Sequence, residues 1–317
     1  VDNELSREAN IYVVELDKSE LKKLGKRFKN KINADAKLVI SELHKELKKQ
    51  NYKRENNKKW LDYISKAKRQ FPNLDQAHKK KIKKFINSYV FMEKIGAKAS
   101  SKTTFVTDMG TALISGFQIL EPKSGQKLFT SQGLGEMGYG LPGAIGAWFA
   151  DKNRTIVCLN CDGGMMMNLQ DLQTIVHHKI PLKIVIFNND GYLMIKHTQD
   201  AIVQGRRSGT DKLSGLSCPD YKKVFEAFGF IYMKIEDELK IDESLEKFLL
   251  AKEAIILEVF MPPNQLLVPK LSVSISADGS IISPPLEDLK PFISIKKLKE
   301  FLMTDIHPNS LKINRDE

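Results

Sequence analysis

Three short apolar runs most restrict what this chain can fold into: RTIVCLN (154–160), LKIVIFNN (182–189) and AIILEVF (254–260). Each reads as a β-strand, and helical patterns stand between them, in MMNLQDLQTIVHHK, DYKKVFEAFGF and KIEDELKIDESLEKFLLAK. Upstream, VFMEKIGAKAS is helical and TTFVTDMG is a strand that stops at Asp108. Strands alternating with helices specify an α/β fold with a doubly wound, mainly parallel sheet. AIILEVF is the last strand expected, and the tail after Pro262 reads as an extended wrap along the surface.

The N-terminal part differs. NIYVVEL (10–16) reads as a buried strand, followed by helices in KSELKKLGKRF and INADAKLVISELHKELKKQ. One strand and two helices cannot cover both faces of a sheet, so residues 1–50 read as only a piece of an α/β unit. Residues 51–86 are rich in Lys and Asn and read as a helical connector, leaving 87–317 as the main domain with its tail. Of the net charge of +11, residues 1–100 carry the excess, with 26 Lys and Arg against 13 Asp and Glu. KKLGKRFKNK and HKKKIKKF lack the interleaved aromatics of a nucleic-acid surface and read as solvated helix faces. No apolar run is long enough to span a membrane and no charged-then-apolar leader is present, so a cytoplasmic protein is expected.

The polar ends of two strands carry the chemistry. Asp162 follows RTIVCLN and Asn188–Asn189 close LKIVIFNN, with Asp162 and Asn189 separated by 27 residues. In open parallel sheets ligands lie beyond the carboxyl ends of strands, so both tips face one site. Gly163 and Gly164 permit close approach of backbone N–H groups to a diphosphate. Asp162, the Asn189 amide oxygen and the Gly191 carbonyl are hard oxygen donors suited to Mg²⁺. Cys158 and Cys161 form a C-x-x-C at a strand end rather than a helix start, which favours a buried strand cysteine and a small turn residue over a redox pair.

Asp-Gly followed 27 residues later by the second Asn of Asn-Asn, and then x-Gly-Tyr, resembles the cofactor motif of the thiamine-diphosphate enzymes of the pyruvate-decarboxylase and acetolactate-synthase superfamily. GLGEMGYGLPGAIGA (133–147) is similar to that family's aminopyrimidine-contacting segment. NNDGYLMIKHTQ and RRSGTDKLSGLSCPDYKKVFEAFG resemble its acetolactate-synthase branch. The resemblance covers roughly residues 87–260, and residues 10–50 are similar to the tail of the family's central domain, which implies that 1–50 are the remnant of a central α/β domain.

The resemblance implies a thiamine-diphosphate-binding fold with Mg²⁺ held by Asp162, Asn189 and the Gly191 carbonyl. Gly163 and Gly164 would lie against the diphosphate, and Gly133, Glu136, Tyr192, Leu193 and Met194 would line the cofactor. Met137 is implied as the wedge that bends thiamine diphosphate, with Gly135 accepting from its 4′-amino group through its carbonyl. The implied reaction is decarboxylation of a small 2-oxo acid such as pyruvate, with transfer of the two-carbon unit to an acceptor carbonyl. Simple decarboxylation and an inactive cofactor-binding or assembly module are the alternatives.

Two departures stand out. Cys161 replaces the usual first glycine of the Gly-Asp-Gly motif, and Thr198 stands where a Trp is common. The family's glutamate-bearing pyrimidine domain has no counterpart here, so it is expected from a partner subunit or a preceding region of a longer enzyme. The 317 residues alone are then expected to turn over negligibly, and a homo-oligomer is expected, with neither nucleic-acid nor membrane partners. GLGEMG (133–138) also satisfies G-x-G-x-x-G, but the preceding KLFTSQ reads as a poor strand, which disfavours a dinucleotide site.

Overall fold

The computed structural model describes residues 6–53, 57–75, 78–271, 274–275, 280–313 and 315. Internal packing divides the chain into two compact units, Val1–Phe71 with Val268–Glu317, and Pro72–Leu267.

The first unit opens with β1 (Tyr12–Glu15), α1 (Lys18–Lys23), β2 (Asn30–Asn33), α2 (Ala36–Lys49) and α3 (Lys58–Gln70). Asp35 caps α2 by accepting from the N–H groups of Lys37 and Leu38. The expected lone buried strand is corrected here. β1 pairs in parallel with β2, and its flanks are open to solvent, with Tyr12 68% and Leu16 69% exposed. An apolar run becomes a buried strand only when layers cover both its faces, and a two-stranded ribbon lacks them.

The second unit holds a six-stranded, wholly parallel sheet in the order β4-β3-β5-β6-β8-β7. Its strands are β3 (Thr103–Thr107), β4 (Lys127–Phe129), β5 (Thr155–Cys161), β6 (Lys183–Asn188), β7 (Ile231–Ile235) and β8 (Ile255–Phe260). Side chains alternate between faces, so Phe105, Val157, Leu159, Val185, Phe187 and Leu257 share one core. That face is covered by α4 (Ser88–Lys98), α5 (Thr111–Ile119) and, further along the chain, Ile241–Leu250. The opposite face carries Val106, Ile156, Cys158, Ile184, Ile186 and Ile256 under α6 (Gly140–Ala150) and later helices. Helices on both faces make the sheet doubly wound, as expected.

Several local readings change. KLF, within the segment read as a poor strand, is the edge strand β4, in register with Thr104–Val106. MMNLQDLQTIVHHK is not one helix. It follows a single turn, α7 (Asp162–Met165), passes through a 3₁₀ segment, and becomes α8 (Leu172–His177), with Asn168 off helical geometry at φ −139° and ψ 35°. The helical period survives because Met165, Leu172 and Ile175 still face the core. After β6 come α9 (Leu193–Val203) and α10 (Tyr221–Ala227), and α11 (Ile241–Leu250) starts seven residues later than KIEDEL suggests, because Lys234 and Ile235 belong to β7. The tail is not simply extended: Ser274–Ile275 pairs with Ile281–Ile282, and α12 (Ile295–Phe301) and α13 (Pro308–Lys312) follow.

Candidate functional site

Three strand ends meet where the sheet's connections change direction. From β3 the chain steps to β4 on one side, whereas β5 steps to β6 on the other, so a crevice opens between the carboxyl ends of β3 and β5. Asp108 follows β3, Asp162 follows β5, and Asn189 follows β6.

Register brings the two expected donors together. β5 and β6 pair as far as Cys161↔Phe187, and the next residues enter the crevice side by side. Asp162 is fully buried, and its Oδ2 accepts from the backbone N–H of Asn189 at 2.9 Å and of Gly191 at 3.1 Å. Its Oδ1 accepts from Gly163 N–H at 2.8 Å, and the Tyr221 hydroxyl donates to its carbonyl oxygen. Burial pushes the Asp162 carboxyl up to about 6, against the opposing pull of those N–H donors and of the Lys196 charge. Asn189 is also buried, and its amide oxygen has no hydrogen-bond partner among the described residues.

Gly191 has a φ of +129°, and a Cβ there would be driven into the carbonyl oxygen of Thr210, which also accepts from Tyr192 N–H at 2.9 Å. The glycines after Asp162 have a packing reason as well. A Cβ on Gly163 would enter the Tyr192 ring, and one on Gly164 would meet the Asp108 carboxylate. Cys161 is extended, with φ −117°, so replacing a glycine there needs no strained backbone. Burial pushes the thiols of Cys158 and Cys161 up, which makes them inert strand residues rather than a redox pair.

The other expected residues lie on the same side of the sheet or beneath it. Gly133, Gly135, Glu136 and Met137 form the loop between β4 and α6, where Gly135 N–H donates to Ser131 O at 3.0 Å and Glu136 accepts from Ser131 Oγ at 2.9 Å. Met137 is 37% exposed on that loop. Tyr192 sits half-buried at the start of α9, while Leu193 is buried in the core and Met194 packs against it. Helix α6 begins at Gly140, after GLGEMG rather than within it, so the loop lacks the strand-turn-helix form of a dinucleotide site. His177 and His178 are exposed at the end of α8, and His197 is buried in α9.

Sequence reasoning missed three contributors. Asp108 is fully buried and binds Gly138 N–H at 2.8 Å and Gly140 N–H at 3.2 Å through Oδ1. Lys196, 5% exposed, donates from Nζ to the Asp190 carbonyl at 3.1 Å and to that of Asn189 at 3.4 Å. Asn168 donates to the Gly138 carbonyl at 2.6 Å. Asp108 was visible as a polar strand end; nothing in the spacing of the other two marks them.

Among the described residues, no group of three or more His, Cys, Asp or Glu side chains could hold a metal ion. The donor set fits a small hard cation that draws the rest of its ligands from a bound anion and water: one carboxylate with lone pairs to spare and one amide oxygen without a partner. Among the described residues no helix is long and apolar enough to cross a membrane.

Residues 108–259 match the family described as thiamine pyrophosphate enzyme, C-terminal TPP binding domain. The acetolactate synthase large subunit of Cyanidium caldarium is 27% identical over 85% of this chain and 45% of its own length. The probable acetolactate synthase large subunit of Methanococcus aeolicus is 28% identical over 91% of this chain and 49% of its own. The acetolactate synthase large subunit of Porphyra purpurea is 35% identical over 51% of this chain and 27% of its own length. The chain thus spans about half the length of the first two relatives. Among solved structures, the thiamine diphosphate-dependent 4-hydroxybenzoylformate decarboxylase of Rhodococcus jostii RHA1 superposes with a TM-score of 0.52 at 20% identity. It covers 58% of this chain and 34% of that one, and the likeness is one of fold.

Proposed function

We propose that this chain, whose residues 108–259 match the C-terminal TPP binding domain of thiamine pyrophosphate enzymes and which is similar to acetolactate synthase large subunits, is the Mg²⁺- and diphosphate-binding part of an acetolactate-synthase-like enzyme that decarboxylates a small 2-oxo acid, such as pyruvate, and transfers the two-carbon unit to an acceptor carbonyl. The observation that carries the reading is the buried pairing of Asp162 with Asn189, whose amide oxygen points to an additional partner. When bound, thiamine diphosphate supplies the electron sink that lets a 2-oxo acid lose CO₂.

The chain's own residues would bind and orient. Asp162, Asn189 and the Gly191 carbonyl would hold Mg²⁺, and Lys196 neutralises part of the charge of the buried carboxylate. The 133–137 loop would meet the aminopyrimidine, with the exposed Met137 side chain as its support. A glutamate-bearing pyrimidine domain, from another subunit or another region of the same enzyme, would complete proton transfer at the cofactor. The oligomer expected for such a site belongs to this proposal.

The test is calorimetric titration of thiamine diphosphate into the chain combined with a pyrimidine-binding domain, with and without Mg²⁺, followed by pyruvate turnover. Metal-dependent uptake, lost in Asn189→Ala, with CO₂ release and a carboligated product is the expected result. Uptake that ignores Mg²⁺ and Asn189 would overturn the site, and acetaldehyde as the sole product would make the chain part of a simple decarboxylase.

A further inference from the structure

The 133–137 loop is not free to hang from α6. It is fixed at its entry by Thr130, whose hydroxyl donates to Thr107 O at the end of β3, at 2.9 Å. It is fixed at its exit by Gly138, where both polar atoms of one residue are engaged by different parts of the crevice. Gly138 N–H goes to Asp108 Oδ1 at 2.8 Å, and Gly138 C=O receives Asn168 Nδ2 at 2.6 Å. The φ of Gly138 is +93°, and a Cβ would lie 2.6 Å from Met167 Cβ and 2.8 Å from Asn168 Nδ2. Only glycine brings the loop this close to the segment that follows Asp162.

Asn168 reaches Gly138 from the point where the chain leaves helical geometry between α7 and α8. An unbroken helix would keep its own hydrogen-bond ladder without this contact. A break costs helical hydrogen bonds, and here it coincides with the side chain that holds the Gly138 carbonyl. Asp108 touches the same segment from the other side, since a Cβ on Gly164 would collide with its carboxylate. The turn that bears Asp162 and the loop that bears Met137 are therefore joined through Asp108, Gly138 and Asn168.

We propose that this latch is a coupling device: filling of the metal–diphosphate turn is transmitted through Asn168 and Gly138 to the 133–137 loop, setting it for the aminopyrimidine half of the cofactor. The inference rests on the cofactor reading above for what fills the turn. Asn168 and Asp108 are positioning residues, acting through the loop rather than on the cofactor. The plain alternative is that Asp108 only caps the first turn of α6, whose preceding residue, Tyr139, makes no side-chain cap bond. A cap holds the loop equally with or without ligand, so the two readings differ in what binding does.

Amide hydrogen exchange on the full chain separates them, using Mg²⁺ with inorganic diphosphate as the probe. In the ligand-free chain, Asn168→Ala should speed exchange at Gly138 and Gly140 about fivefold, the loss of one hydrogen bond; unchanged exchange would overturn the latch. Adding the probe to the native chain should slow exchange both at 162–165 with 189–191 and at 133–138. In Asn168→Ala the first protection should remain and the second should vanish, and loop protection that persists would overturn the coupling. Absence of protection at 162–165 and 189–191 in the native chain would overturn the diphosphate reading, and the coupling with it, while the ligand-free comparison still decides the latch itself. Asn168→Asp, which keeps the side chain's shape and removes its donor, repeats the comparison should the alanine variant fold poorly.

Discussion

Asp162 and Asn189 are neighbours with opposite balances between structure and binding. Three backbone N–H groups converge on Asp162, so Asp162→Ala leaves buried donors without acceptors and should lower stability by about 2–4 kcal/mol even in metal-free buffer. The Asn189 amide oxygen satisfies nothing in the described chain, so Asn189→Ala should cost roughly 1 kcal/mol or less without ligand and abolish the rise in thermal midpoint given by Mg²⁺ with diphosphate. Urea and thermal unfolding with EDTA or the ligand pair read both effects; equal losses without ligand would remove the distinction. Lys183 shows the reverse economy. It is buried in a central strand, and burial pushes its ammonium down to about 8. Between about 8 and its ordinary value of 10.5 the unfolded chain binds a proton that the folded chain does not, so this residue favours folding more as pH rises through that window. Lys183→Met should stabilise the protein on the order of 1 kcal/mol at pH 7 and flatten the gain between pH 8 and pH 10.

At the scale of elements, continuous burial separates the centre of the sheet from its margin. β5, β6 and β8 are buried almost from end to end, whereas β4 is a three-residue edge strand with partly open side chains. Exchange should be slowest in those three strands and at least tenfold faster in β4, a gap of about 1.4 kcal/mol or more in local opening. Uniform protection across the sheet would contradict the picture. The central strands were also the legible ones, because hydrophobic runs of six or seven residues are a strong signal. β4 and β7 were missed since one has three residues and the other joins an apolar edge to the Lys-Ile of a helix-like stretch. The segment after Asp162 reads as one continuous helix because its core-facing residues keep their period through the break at Asn168.

For the molecule as a whole, the chain's division into two units makes a separate statement about the first. There Asp288, buried, receives both arms of the Arg315 guanidinium, at 2.7 Å and 3.1 Å. Breaking such a pair on one side leaves a charge buried alone, at about 3–5 kcal/mol. Arg315→Met should therefore loosen residues within 6–71 and 280–313 in exchange measurements and leave the protection of 78–267 in place. Loss of protection across both would show that the units fold as one.

The sequence by itself determined the parallel sheet, its central strands and the pairing of Asp162 with Asn189, because strand period and the length of one crossover are local quantities that add up along the chain. Only the tertiary structure decided that Asp108, Asn168 and Lys196 belong to the same place. Their contacts run through backbone carbonyls and N–H groups, which every residue possesses, so side-chain identity leaves no pattern to read. The crevice forms because β3 and β5 are neighbours whose connections part, and that adjacency exists only once the sheet has assembled.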